Sequence, residues 1–142
     1  MAITQAMCTS FKVDILSGTQ NFNTGTTRVY KIALYQSTAT LDAATTSYST
    51  AQEVTGAGYT AGGNTLTISQ IPTSGGTTSF ISFADTTWTS ATITARGALI
   101  YESTQNKAVA VLDFGSDKSS SASNFTIQFP AATSSTAIIR IA

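Results

Sequence analysis

Apolar and polar positions follow two different periods along this chain, and the change comes early. Ile3, Met7, Phe11 and Ile15 recur every fourth residue, and Ser17-Gly18 follows as a stop signal. That spacing predicts a short amphipathic helix over residues 4–16. Such a helix fits two roles, a cap on one end of the core or an arm docking on a neighbouring subunit. From Thr26 onward the period is that of strands, and Tyr30, Ile32 and Leu34 share one face of residues 28–35. Residues 41–52, rich in Ala, Thr and Ser, read as a helical turn or an extended surface loop. The glycine-dense stretch 55–64 predicts a loop or bulged edge leading into a strand over 65–71, because glycine admits positive φ. Residues 72–76 read as a turn.

Three strands then form the expected centre of the sheets. Phe80, Ile81 and Phe83 mark the first. Trp88 introduces a long one in which Ala91, Ile93, Ala95, Gly97, Leu99 and Tyr101 alternate with Thr92, Thr94 and Arg96, and beyond Gly97 the second face turns apolar with Ala98 and Ile100. Residues 108–112 are apolar on both faces, as in a strand covered on both sides. Residues 113–123 read as a polar loop with a serine run. Phe125, Ile127 and Phe129 alternate until Pro130, and a last strand covers 137–142. About eight short strands with regular turn signals predict an all-β fold, a β-sandwich or jelly roll over residues 26–142 behind the N-terminal helix. Residues 1–142 then form a single domain, with no linker and no internal repeat.

Composition narrows what such a sandwich can do. Charged residues are 10% of the chain against a usual share of about 25%, so hydroxyls and amides supply most of the surface polarity. Seven basic residues balance seven acidic ones, and no stretch concentrates either sign. A nucleic-acid partner is not expected, because neutralising phosphates calls for a basic stripe. The near-zero net charge offers little repulsion between copies, which suits a protein that associates. Cys8 is the only cysteine, so no internal disulfide is expected. The first residues lack a signal-peptide pattern and no apolar run approaches the ~18 residues of a membrane span, so synthesis in a reducing cytoplasm without a membrane partner is the expectation.

Catalytic chemistry finds few residues to work with. Histidine is absent, which removes Ser-His-Asp and Cys-His arrangements and the commonest zinc ligand. Cys8 beside Met7 reads as a buried structural thiol. The seven acids show no recurring pair spacing of the kind glycoside hydrolysis requires. Asp113 and Asp117 are too few ligands for calcium and read as solvated loop acids. Asp113-Phe114-Gly115 matches a kinase metal motif by letters alone, and Gly56-Ala57-Gly58 fails the dinucleotide spacing. No enzyme activity, cofactor or metal is expected. Arg96 lies inside a strongly patterned strand, where a charge faces water, pairs with Asp85 or Glu102, or meets another subunit. Trp88, Tyr59 and Tyr101 are candidates for a sugar-stacking platform, although a tryptophan packed across the sandwich is the commoner arrangement.

Several longer phrases carry a family likeness. They are residues 33–43 (ALYQSTATLDA), 58–64 (GYTAGGN), 83–101 (FADTTWTSATITARGALIY), 111–115 (VLDFG) and the ending Ile138-Ile139-Arg140-Ile141. Together they resemble a group of small proteins encoded by tailed bacteriophages, and the likeness covers most of the chain. The resemblance implies a virion structural protein and transfers no active site. On this reading the expected role is a head decoration or cement subunit, a homo-oligomer that bridges neighbouring capsid proteins, the major capsid protein first among them. The alternative is a neck, tail or fibre component that binds host glycans. Ile3, Met7, Phe11, Tyr59, Trp88 and Arg96 are the candidate interface residues, together with the polar loops 55–64 and 115–123.

Overall fold

Alternating runs of β-branched and aromatic residues pair into eight strands, arranged as two antiparallel sheets beside one short helix in the computed structural model, which describes residues 2–142. In chain order the elements are β1 (Ala6–Met7), α1 (Thr9–Leu16), β2 (Tyr30–Tyr35), β3 (Asn64–Thr65), β4 (Ile68–Gly75), β5 (Thr78–Phe83), β6 (Thr86–Glu102), β7 (Lys107–Ile127) and β8 (Ile139–Ile141). One sheet runs β1-β7-β6-β2-β3 and the other β4-β5-β8. The layers meet through aromatic side chains. Phe83 of β5 lies 6.0 Å from Tyr30 of β2, and Phe22 stacks on Tyr30 at 4.4 Å. The all-β, sandwich-like architecture expected from the periodicity is therefore the one observed.

The β6–β7 hairpin dominates the molecule. Its turn is closed by the fully buried Glu102, whose carboxylate accepts from the backbone N–H of Thr104 (2.8 Å) and Gln105 (3.1 Å) and from the Thr104 hydroxyl. Near this turn, β7 is flanked by β1 and β6 is flanked by β2, and Ala98, Leu99, Ile100, Val109 and Val111 are fully buried. The both-face apolar pattern of 97–101 and 108–112 has its cause here. Past Gly97 and Asp113 the two strands leave the sheet body and continue as a ribbon to Thr86 and Ile127. Its register slips at several points, and Ser90 and Ala122 take positive φ, as bulged ribbons do.

Three expectations change, and a fourth reading resolves to one of its two alternatives. Residues 113–123 are strand, not loop, because their backbone pairs with β6 while the serine side chains face water. Cross-strand hydroxyl pairs such as Thr94–Ser119 (2.7 Å) replace apolar alternation there. The helix begins at Thr9, not at residue 4. Before it, Ala6–Met7 joins the edge of β7 and Ile3 bridges to Leu41, so backbone partners from the fold win over the four-residue spacing. It ends where Ser17-Gly18 predicts: Gly18 at φ 75° and Thr19 donate back to Ile15 and Asp14 in a Schellman-type cap. Pro72 lies inside edge strand β4, beside a register shift where a missing N–H is tolerated, and the turn moves to Gly76. Residues 41–52 form turns and extended loop, without a helix.

Helix α1 packs against the sheet through Phe11, which is fully buried and meets Phe22 edge-on at 6.0 Å. Asp14 pairs with Lys107 of β7 at 3.2 Å. Of the two roles open to the helix, capping the core is the one these contacts describe. Among the described residues, no helix is long and apolar enough to cross a membrane.

Candidate functional site

The most elaborate polar cluster is centred on Glu53. Its segment runs beside the end of β2, with Val54 N–H donating to Leu34 C=O (2.9 Å) and Gln36 N–H to Gln52 C=O (3.0 Å). This places a carboxylate that is only 5% exposed against the sheet. Three donors saturate it: the hydroxyls of Tyr48 and Tyr59 and the backbone N–H of Gly62, each at 2.7 Å. Tyr59 also accepts from Leu34 N–H (2.9 Å), and the Tyr101 hydroxyl donates to Gly62 C=O (2.7 Å). Tyr48 stacks on Tyr101 at 4.7 Å. Burial first, and then the hydrogen bond to the Glu53 carboxylate, push the Tyr48 hydroxyl far above its ordinary value. Tyr59 is raised for the same reasons, its gain opposed in part by the Leu34 N–H. Burial and then the Glu53 charge raise Tyr101 to about 12. These hydroxyls stay protonated donors across the neutral range. Chemically the cluster is a clamp that pins the long excursion between β2 and β3 to the face of the sheet.

The residues singled out from the sequence fall into different places. Ile3, Phe11 and Trp88 are buried among the chain's own core residues, and Met7 is half-buried against them. Trp88 is buried, as in the commoner of its two readings, but its aromatic contacts are Tyr59 (5.8 Å) and its cross-strand neighbour Phe125 (6.1 Å), so it packs on the ribbon of its own sheet and not across the sandwich. Tyr59 and Tyr101 are committed to the Glu53 cluster. Trp88 and Tyr101 are thus buried and offer no stacking face for a sugar, whereas Tyr59 is half-buried with its hydroxyl held by Glu53. Cys8 is fully buried at the start of α1, and burial followed by the Asp42 charge pushes its thiol up to about 11. Glu53 itself escaped sequence reasoning. No local pattern marks it, because its donors come from residues five, six and nine positions away and from the fold of the loop.

Arg96 pairs with Asp113, Nε to Oδ1 at 3.0 Å, and not with Asp85 or Glu102. Asp85 instead accepts from Phe129 N–H, and Glu102 closes the hairpin turn. The antiparallel register explains the choice, since Gly97 lies opposite Asp113 and brings the neighbouring Arg96 within reach. Arg96 also lines a hydroxyl-rich cleft of about 380 Å³ with Gln36, Thr55, Thr92, Thr94 and Asp117. The Gly115 N–H first, and then the guanidinium, hold the Asp113 carboxyl below its ordinary value of 3.8. A depressed folded-state value means that the stabilisation is present above 3.8 and is lost as pH falls through the lower folded value. Melting curves from neutrality downward should therefore show wild type and Asp113→Asn converging below that point. A gap that does not change with pH would show that the ionised pair adds nothing.

Fold and site together define the class: an all-β, two-sheet protein whose buried polar groups secure loops to a sheet. No family model, curated protein or solved structure matches the chain.

Proposed function

We propose that the chain is a structural subunit of a bacteriophage virion, a head decoration or cement protein that bridges neighbouring capsid proteins through protein–protein contacts. The observation that carries this reading is the use the fold makes of its buried polar groups. Glu53, Glu102 and the tyrosine cluster each hold a loop or turn in place, and the Arg96–Asp113 pair ties the base of the ribbon. What is left outside is a hydroxyl-rich surface with few charges and a ribbon whose β7 edge, beyond Asp113, has no strand beside it among the described residues. Such an edge and such a surface favour association through backbone and hydroxyl hydrogen bonds. The phage-like phrases of the sequence point the same way, and symmetric oligomers are the usual form for such parts.

Cryo-EM of particles assembled with and without the chain tests the proposal. Density of this fold is expected on the outer shell between capsid subunits, disappearing when the chain is omitted. Density at the neck, tail or fibre would transfer the role to the alternative station, and particles lacking it everywhere would overturn the proposal.

A further inference from the structure

The hydroxyl-rich cleft beside Arg96 is walled by segments that the fold pins in place. Residues of β6 between Thr92 and Arg96 form its floor, Asp117 and Ser120 of β7 one wall, and Gln36, Ser37 and Thr55 the other. Both walls are tied to the sheet. On the loop side Thr92 N–H donates to Ala57 C=O (2.9 Å), and Gly56 lies so close to β6 that a Cβ there would stand 2.3 Å from Thr92 O. Gln36 is held twice, its backbone N–H donating to Gln52 C=O (3.0 Å) and its side-chain amide to Glu53 C=O (3.1 Å). On the ribbon side Ser120 Oγ donates to Ala91 C=O (2.8 Å), and Ala122 N–H donates to Thr92 Oγ1 (2.9 Å). The cleft is therefore formed before anything enters it, which lowers the ordering cost of binding.

We propose that this cleft binds a neutral saccharide. Six of its nine lining residues are Ser, Thr or Gln, and Ile93 is the one apolar residue among them, which disfavours a lipid or another apolar ligand. Arg96 is the only cation of the lining and Asp117 the only carboxylate, and Asp113 already neutralises the guanidinium at 3.0 Å. A ligand of either charge would meet its own sign as well as the opposite one. What remains is a mixed set of donors and acceptors, the set that a ring of hydroxyls satisfies. Thr92 Oγ1 already accepts a bond, so its O–H is left to donate, and Ser120 Oγ already donates, so its lone pairs are left to accept. The bond to Asp113 occupies Arg96 Nε, and the other guanidinium donors serve one sugar hydroxyl while Asp117 accepts from another. The volume of about 380 Å³ lies within the roughly 300–1,000 Å³ of small-molecule clefts. No tryptophan or tyrosine lines the cleft, so affinity for a single sugar unit is expected in the millimolar range. This binding goes beyond the bridging role and does not depend on it.

Nuclear magnetic resonance titration of the isotope-labelled full chain tests it. The neutral probes are gluco-, manno- and galacto-configured tetrasaccharides and the matching methyl glycosides, with tetragalacturonate as the acidic control. At least one neutral probe is expected to shift the amides of Gln36, Ser37, Thr55, Asp117 and Ser120. Arg96→Gln and Asp117→Ala should each weaken that probe about five- to tenfold, and Thr73→Ala on the second sheet should leave it unchanged. Asp117 is exposed, so its variant serves if loss of the Arg96–Asp113 pair disturbs folding. Equal affinity for methyl glycoside and tetrasaccharide would mark a single-sugar site, and a gain with length one that follows a polymer; either sustains the proposal. Three results overturn it: no shifts with any neutral probe up to its solubility, shifts centred on Tyr59 and Trp88, or preference for tetragalacturonate. None of the three touches the virion reading, which particle reconstruction decides.

Discussion

Replacing Glu53 with alanine is expected to lower stability by about 4 kcal/mol, a fall in melting temperature of roughly 10–20 °C for a chain of this size. The substitution strands three donors in a site that is 5% exposed: the hydroxyls of Tyr48 and Tyr59 and the N–H of Gly62. Each unsatisfied buried donor costs about 1–3 kcal/mol, and the upper end is not reached at all three because the loop can relax toward water. Glu53→Gln keeps one carbonyl acceptor but turns an amide N–H₂ toward a hydroxyl donor, so about half the loss is expected. Urea or thermal unfolding of the three proteins measures the series. A loss under about 1 kcal/mol for the alanine variant would show that the tyrosines find other partners and that the carboxylate is not the clamp. Hydrogen exchange would locate the damage, with faster exchange expected at Val54 and Gly62, whose amides hold this segment in place.

Gly63→Ala is expected to be at least as damaging, through sterics in place of polarity. Gly63 sits at φ 74°, and a Cβ there would lie 1.8 Å from Ile32 O and 2.6 Å from Ile32 C, both backbone atoms of β2. Neither atom can move without breaking β2, which pairs with β6 on one side and β3 on the other. The loop must leave the sheet, and the Gly62 contacts to Glu53 and Tyr101 leave with it. A loss above about 4 kcal/mol, or failure to accumulate as soluble protein, is the expected outcome. Gly76→Ala is the matched control. Its φ of 62° is equally unfavourable for alanine, yet nothing lies within 4 Å of the added atom, so only about 1 kcal/mol should be lost. Equal melting temperatures for the two variants would show that backbone conformation alone, and not the approach to β2, governs both sites.

The contrast between these residues shows where sequence reasoning reaches. The strand over 28–35, the long one from Trp88 and the doubly apolar segment 108–112 were legible because each carries its burial pattern in consecutive residues. The helix stop at Ser17-Gly18 was legible for the same reason, since a Schellman cap is local chemistry. The outer half of β7 was not. Its residues face water, so their placement in a strand depends on a partner, β6, that no window of sequence contains. Residues 4–8 were misread because an extended segment gaining a sheet edge leaves the same four-residue apolar spacing as a helix gaining a core.

Side-chain partnerships divide along the same line. Composition and periodicity determined the all-β class, the low charge, the absence of histidine and the strands that carry the core. Only the tertiary structure decided that Arg96 meets Asp113, that Trp88 packs inward, and that Glu53 gathers Tyr48, Tyr59 and Gly62. The physical reason is range. Strand patterning is written at a period of two residues, whereas a salt bridge or a buried carboxylate is made by groups whose approach no fixed sequence spacing encodes, being set by register and by where the loops are pinned.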